Sequence, residues 1–298
     1  MPFEINLENV TQQASLSDVV DYFSSCSNVD RDTLTNGAHV LKSLANNERF
    51  LSEIITQEVK LLCKNQINNP YSGQSYLLHR GEKFFIRAAF WPCVKNNLFI
   101  NNGAETFFYD VPHDHNFDFL TVGYSGPGYA SDFYEYDADS RIGFNGEHIN
   151  TKYVGRHILE KGKIILYRKS FDIHSQLAPE DFSISLNIIT DNHRELLETP
   201  QLMMNREITE CEYISNRSSI IHLCNMALAL GAESTEIIEE ISQKHRLEWV
   251  RFSAYDALAG SDTNIAEKVW EKASRDSSSK IREIARKTLN CISGDLGK

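Results

Sequence analysis

The sequence predicts an α+β fold: a central antiparallel β region with helical regions before and after it. Three observations carry this expectation. Short aromatic and β-branched runs crowd the stretch from about residue 72 to 190, turn signals separate those runs, and helical periodicity dominates on either side. The organisation reads as an N-terminal helical segment over 1–66, a β region over 67–195 and an α-helical region over 196–298. A chain of 298 residues is long enough for two compact units with full cores.

In the first segment, Ser17-Asp18 is placed to cap a helix containing Val19, Val20 and Phe23. Leu41, Leu44, Phe50, Leu51, Ile54 and Ile55 recur at helical spacing in a stretch continuing toward Leu61-Leu62.

The period then changes. Tyr76 to Leu78, Phe84 to Trp91, Phe107 to Tyr109 and Phe117 to Thr121 read as strands, as do Tyr129 to Tyr136, Tyr153 to Leu159, Lys163 to Tyr167 and Phe182 to Thr190. Asn69 to Gly73, Arg80-Gly81-Glu82, Asn101-Asn102-Gly103, Gly126-Pro127-Gly128, Asn145-Gly146-Glu147 and Lys161-Gly162-Lys163 punctuate them. Many short strands at such intervals indicate an antiparallel sandwich or barrel.

After Pro200 the pattern is helical to the end, with amphipathic stretches around Leu223–Leu230, Ile237–Ile241, Trp249–Leu258, Ile265–Ala273 and Ile281–Ile292. Leu247 to Leu258 and Ser279 to Leu289 share a pattern of an apolar residue, Arg, two positions, Ala and a later Leu, with Asp276 just before the second copy. This resembles the second helix of HEAT-type repeats, which implies Asp capping and an Arg pairing with a neighbouring repeat. An ordinary helical bundle is the alternative, and either is a packing or protein-recruiting module.

A formal charge of −11 argues against general nucleic-acid binding, because phosphate contacts need a basic surface. The six cysteines form no Cys-x-x-Cys pair and read as free thiols in a reducing compartment. The acidic N-terminus lacks the apolar run of a signal peptide, and no stretch approaches the roughly 20 apolar residues of a membrane span, so a cytoplasmic location is expected.

The richest chemistry lies in Pro112-His113-Asp114-His115-Asn116-Phe117-Asp118-Phe119 and in the isolated His174. Side chains two apart on a strand share a face, so His113 and His115 can converge on one metal ion, which a ligand from a distant strand would complete. His157, on a predicted strand, rivals His174. His193-Arg194-Glu195 matches His-x-Glu but falls in a polar segment. His79 and His148 flank turns, and His39, His222 and His245 lie in helical regions.

These residues resemble the metal-binding segments of the cupin superfamily over about 72–190, which implies a small antiparallel β-barrel. His113 and His115 match its paired histidines, His174 the histidine of its second segment, and Gly128 the glycine closing its first. The glutamate usual four or five residues after the second histidine is replaced by Phe119 and Leu120. Lys169-Ser170-Phe171 stands where a Pro-x-Gly turn is usual, and Ala178 where asparagine is. The nearest acid, Asp118, has odd spacing and needs a bulge to turn inward.

Two ligand sets follow from the resemblance: three histidines, as in several cupin dioxygenases, or two histidines with Asp118. Arg87 and Arg168, set within apolar strands, are candidates to receive a substrate carboxylate or phosphate, or to make structural ion pairs. Tyr124 is a candidate pocket wall, as are Tyr129, Tyr134 and Tyr136. The implied activity is that of a metal-dependent enzyme, a non-heme Fe(2+) oxygenase acting on a small polar molecule, with other divalent metals as alternatives. A barrel that senses a ligand or metal while its helices recruit a protein, and a metal-free isomerase or epimerase with a histidine base, are the other readings. Edge strands offer a route to a homodimer.

Overall fold

A six-stranded antiparallel sheet with different partners on its two faces organises the first part of the fold. The computed structural model describes residues 3–66, 69, 74–191, 199–215, 218–231 and 233–294. Within them the chain is α+β, with helical regions toward both ends. It divides into two units, one of Met1–Tyr136 with Thr151–Thr199 and the other of Asp137–Asn150 with Pro200–Lys298. Residues 193–195, with their His-x-Glu pattern, lie outside the described residues.

In the first unit, β1 (Phe3–Ile5) is followed by helices α1 (Leu16–Ser25), α2 (Arg31–Asn36), α3 (Ala38–Ala45) and α4 (Phe50–Lys60). Strands β2 (Ser75–Arg80) and β3 (Phe84–Trp91), the short helix α5 (Asn97–Asn102), and strands β4 (Phe119–Ser125) and β5 (Ala130–Tyr136) come next. β6 (Thr151–Ile158), β7 (Ile164–Tyr167), β8 (Asp172–Gln176) and β9 (Ser183–Thr190) complete the unit. The large sheet has the order β1-β7-β4-β9-β3-β2, and a second sheet has the order β6-β5-β8.

Period-two alternation sorts the large sheet's residues. Ile86, Ala88, Leu120, Val122, Ile164, Leu166, Leu186 and Ile188 face the helices, packing on Val19, Phe23, Leu34, Leu41, Leu44 and Leu51. Fully burying each such side chain stabilises the fold by about 1.5–3 kcal/mol. The intervening residues Phe85, Ala89, Trp91, Phe119, Ile165, Tyr167 and Ile189 form a second core with Tyr129, Phe133 and Leu159. A sheet covered on both faces explains why its strands read as nearly continuous apolar runs. Helix α1 starts two residues earlier than a cap at Ser17 indicates. Ser15 caps it, accepting from the Asp18 backbone N–H while the Asp18 carboxylate accepts from the Ser15 N–H, a capping box.

The closed cupin-like barrel is not formed. Among the described residues, β1 and β2 are free edges of one sheet and β6 and β8 of the other. Beyond these ladders, the described residues of the first unit show isolated bridges: Tyr109 with Gln176, His113 with His174, and Gly123 with Lys161. Closure needs a continuous, staggered ladder. Here the residues that would extend it are irregular: Phe107 ends a 3-10 turn (Glu105–Phe107), Phe108 adopts a left-handed φ of 55°, and Asp110 one of 56°. The stretch 111–118 makes one bridge rather than a strand, so Phe107 to Tyr109 is no strand and His-x-His precedes β4 instead of lying in one. Gly123 is needed for close approach, since a Cβ there would sit 2.1 Å from the Glu160 carbonyl oxygen.

The second unit opens, after Pro200, with a hairpin of β10 (Gln201–Met204) and β11 (Cys211–Ser215) where the sequence indicates helix. Helices α6 (Ser218–Leu230), α7 (Glu233–Lys244), α8 (Glu248–Ser261), α9 (Thr263–Ala273) and α10 (Ser279–Ile292) follow. Their core gathers Trp249, Val250, Phe252, Leu258, Val269, Trp270 and Ile281. Arg251, in the first copy of the repeated pattern, makes a two-pronged ion pair with Asp276, before the second, at 2.9 and 2.8 Å. Ser278, not Asp276, caps α10, and Asp276 accepts from the Ser278 N–H at 2.7 Å. No helix of the described residues is long and apolar enough to cross a membrane.

Candidate metal centre

His113 and His174 are a hydrogen-bonded antiparallel pair. The His113 N–H donates to the His174 carbonyl at 3.0 Å, and the His174 N–H donates back at 2.9 Å. Directly opposed residues project to one face, so the two imidazoles meet, with ring centroids 4.5 Å apart. His115, two residues on, projects the same way; its centroid is 4.9 Å from that of His113 and 5.0 Å from that of His174. The Ser170 N–H holds the His115 carbonyl at 2.8 Å.

One ring nitrogen from each lies within 4.8 Å of the others. Two bonds of about 2.1 Å to a shared ion allow at most about 4.2 Å, so the cluster is close to a liganding arrangement. The His113 Nδ1 sits 2.8 Å from the Val111 carbonyl oxygen, an acceptor only, so Nδ1 carries the proton and Nε2 is left as the ligand atom. Both ring nitrogens of His174, which has no exposed surface, lack a hydrogen-bond partner. Burial lowers the pKa of His113 to about 4, with the Arg87 charge adding to it against the Val111 hydrogen bond. Burial also holds His115 and His174 well below the ordinary histidine value, helped by their mutual repulsion with His113. Neutral imidazoles are the protonation state a metal requires. The orphaned His174 ring and the all-imidazole donor set fit a divalent ion.

Phe117 and Phe119 flank His115, and Tyr167 meets the His174 ring edge-on at 4.6 Å. Arg87 lies on the same face of β3 as Phe85 and Ala89, donates to the Asn187 side chain at 3.3 Å, and acts on the charge of both His113 and His115. Asp114 is fully buried and accepts a 2.5 Å hydrogen bond from Tyr136.

The remaining sequence candidates are placed elsewhere. Asp118 accepts from Arg31 of α2 and from the Lys169 N–H, both at 2.9 Å. Arg168 pairs with Asp172 and Glu135 and stacks 4.1 Å over Phe171. Tyr124, on the helix-facing side of β4, donates to the backbone carbonyls of Asn47 and Glu48. His157 bonds Glu4 at 2.6 Å. Tyr167, whose ring meets His174, and Gln176 are buried residues that no sequence pattern singles out, except that the His174-x-Gln176 spacing puts those two on one face of β8.

No family model matches this sequence, and no curated protein matches it. Among solved structures, a hydroquinone 1,2-dioxygenase from Sphingomonas sp. TTNP3 with 4-hydroxybenzoate bound is 10% identical, over 42% of this chain and 69% of that one, at a TM-score of 0.27. A cupin domain from Bordetella pertussis is 10% identical, over 41% and 96%, at 0.22. The DMSP lyase DddQ from Ruegeria pomeroyi is 10% identical, over 68% and 80%, at 0.23. At these scores the likenesses define neither fold nor activity. With the sheets left open, the cupin membership read from the sequence is not upheld.

Proposed function

We propose that this protein is a metal-dependent enzyme in which His113, His115 and His174 hold one divalent ion, and that the ion is Fe(2+) serving an oxygenase reaction on a small polar molecule. The His174 ring carries this reading: it is fully buried, unpartnered at both nitrogens and faces two more imidazoles. Leaving a buried polar group unsatisfied costs about 1–3 kcal/mol, and a shared cation would remove that cost. The metal-free isomerase reading leaves the ring unsatisfied.

Imidazole suits iron, zinc, copper and nickel. Iron is favoured because three neutral nitrogens on one side would leave positions for dioxygen and substrate, beside the aromatic rings of Phe119, Phe133 and Tyr167. When bound, iron would supply dioxygen and one-electron chemistry. The chain's part is positioning: the Val111 carbonyl fixes the His113 tautomer, and the backbone bridge locks His113 to His174. Asp118, Arg168 and Tyr124 are engaged elsewhere and are assigned no role in it.

The test is nitric oxide, a surrogate for dioxygen, added anaerobically to the Fe(2+)-loaded chain. A paramagnetic iron–nitrosyl signal that disappears in His113→Ala and His115→Ala supports an open iron site. Its absence in the native chain at full iron loading refutes one.

A further inference from the structure

One side of the imidazole cluster adjoins a run of oxidisable side chains. The Tyr167 ring meets the His174 ring edge-on at 4.6 Å. Its hydroxyl touches those of Ser131 and Tyr129, and the Tyr129 hydroxyl in turn reaches Ser185. Trp91 donates its indole N–H to the same Ser185 hydroxyl at 3.0 Å, and its ring lies 4.0 Å from that of Tyr129 between centroids. Tyr109 follows at 6.1 Å from Trp91, with its hydroxyl on the Pro92 carbonyl and the Cys93 thiol near it. Tyr167, Tyr129, Trp91 and Tyr109 are buried, whereas Cys93 is half-buried. The series therefore leads from the imidazoles toward the surface. Packing alone is served as well by phenylalanine, which fills the same core at Phe85, Phe107, Phe119 and Phe133 and needs no hydrogen-bond partner. Tyrosine and tryptophan add the capacity to give up an electron, which phenylalanine lacks.

We propose that Tyr167, Tyr129, Trp91, Tyr109 and Cys93 form a relay that carries oxidising equivalents away from the imidazole site and delivers them to a thiol at the surface. This rests on the iron-dependent reading above. The oxidant is hydrogen peroxide, a by-product of dioxygen chemistry at iron. One electron and one proton move at each step. Tyr167 gives up both to peroxide in the imidazole site, and Tyr129 restores Tyr167 across their touching hydroxyls. Trp91 restores Tyr129, its electron crossing the ring contact and its Nε1 proton passing through the Ser185 hydroxyl that both touch. Tyr109 and then Cys93 follow, and a soluble thiol returns a hydrogen atom to Cys93. Two passages reduce one peroxide to two waters, and the two soluble thiyl radicals join as a disulfide.

The test adds hydrogen peroxide to the full chain loaded with Fe(2+), with the chain loaded with redox-silent Zn(2+) as the measure of direct thiol oxidation. Freeze-quenched samples of the iron form should show a tyrosyl or tryptophanyl radical by electron paramagnetic resonance. Peptide mass mapping should place oxidation at Cys93, from sulfenic acid upward, in excess of the zinc background. In Trp91→Phe and in Tyr109→Phe, each at unchanged iron content, that excess should fall at least about fivefold, with oxidised Tyr167 and His174 rising in its place. An excess at Cys93 that persists in either variant overturns the relay. So does a native chain that takes up iron and yields no radical or no excess. In those cases the metal reading stands. A chain that takes up no Fe(2+) removes that reading and the relay together.

Discussion

Replacing His174 by phenylalanine should separate the two consequences of burying an imidazole without partners. The ring is fully buried, and its neighbours are aromatic: Tyr167 at 4.6 Å, Phe133 at 6.1 Å and Phe119 at 6.5 Å between centroids. Phenylalanine matches the ring's shape closely and carries no polar atom. Relief of an unsatisfied buried group is worth about 1–3 kcal/mol, less about 1 kcal/mol for the larger ring in a packed site. In chelator the variant should therefore be at least as stable as the native chain, by up to about 2 kcal/mol, a rise in Tm of up to a few degrees. In metal the order should reverse. A ligand at a hundred times its Kd stabilises by about 2.7 kcal/mol, and only the native chain has the third imidazole needed to gain it. Thermal unfolding followed by near-UV circular dichroism, in EDTA and in excess Zn(2+), measures both differences. A variant less stable than native in EDTA, or one that keeps the full metal-induced shift, would mean that His174 is neither an unsatisfied buried group nor a metal ligand.

Other outcomes follow from packing and capping. Ser15→Ala removes the cap of α1 and should lower stability by about 1 kcal/mol in urea titration. Asp276→Ala strands the Arg251 guanidinium in the core and should cost about 3–5 kcal/mol, most of which the apolar pair Arg251→Met with Asp276→Leu should restore. Burial alone would raise the Asp276 pKa, but hydrogen bonds from Arg251 and the Ser278 N–H outweigh it and hold the carboxyl below its ordinary 3.8. That stabilisation is complete above pH 3.8 and disappears as pH falls through the lower folded value, so acid unfolding of native chain and double variant should diverge below about pH 4. Gly123→Ala forces a methyl onto the Glu160 carbonyl and should destabilise by about 1–3 kcal/mol on the same urea scale.

Local rules made part of this molecule legible in its sequence. Period-two spacing anticipates the shared direction of His113 and His115, although a single bridge at His113 rather than a strand carries it, and Asp118, at odd spacing, turns to Arg31. The Asp-and-Arg signature in the repeated helical pattern corresponds to a buried ion pair between Arg251 and Asp276. What the sequence hid depends on distant partners. Whether two sheets close is decided at strand ends, where the left-handed Phe108 and Asp110 break the ladder. Gln201–Met204 has no β-branched residue, and its pairing with Cys211–Ser215 gives it strand form. Tyr124 reads as a pocket candidate because a sheet with two apolar faces does not announce which face is which, whereas Arg168, one residue past β7, meets Asp172 and Glu135 only in the fold.

Elemental analysis of the full chain purified without oxygen reads out whether three imidazoles hold one metal ion. Close to one equivalent of a divalent transition metal, iron foremost, is expected, falling to background in His174→Ala while the variant keeps its native circular dichroism. Metal-free native protein that also fails to take up Fe(2+) or Zn(2+) on reconstitution, or a His174→Ala chain that retains a full equivalent, would contradict it.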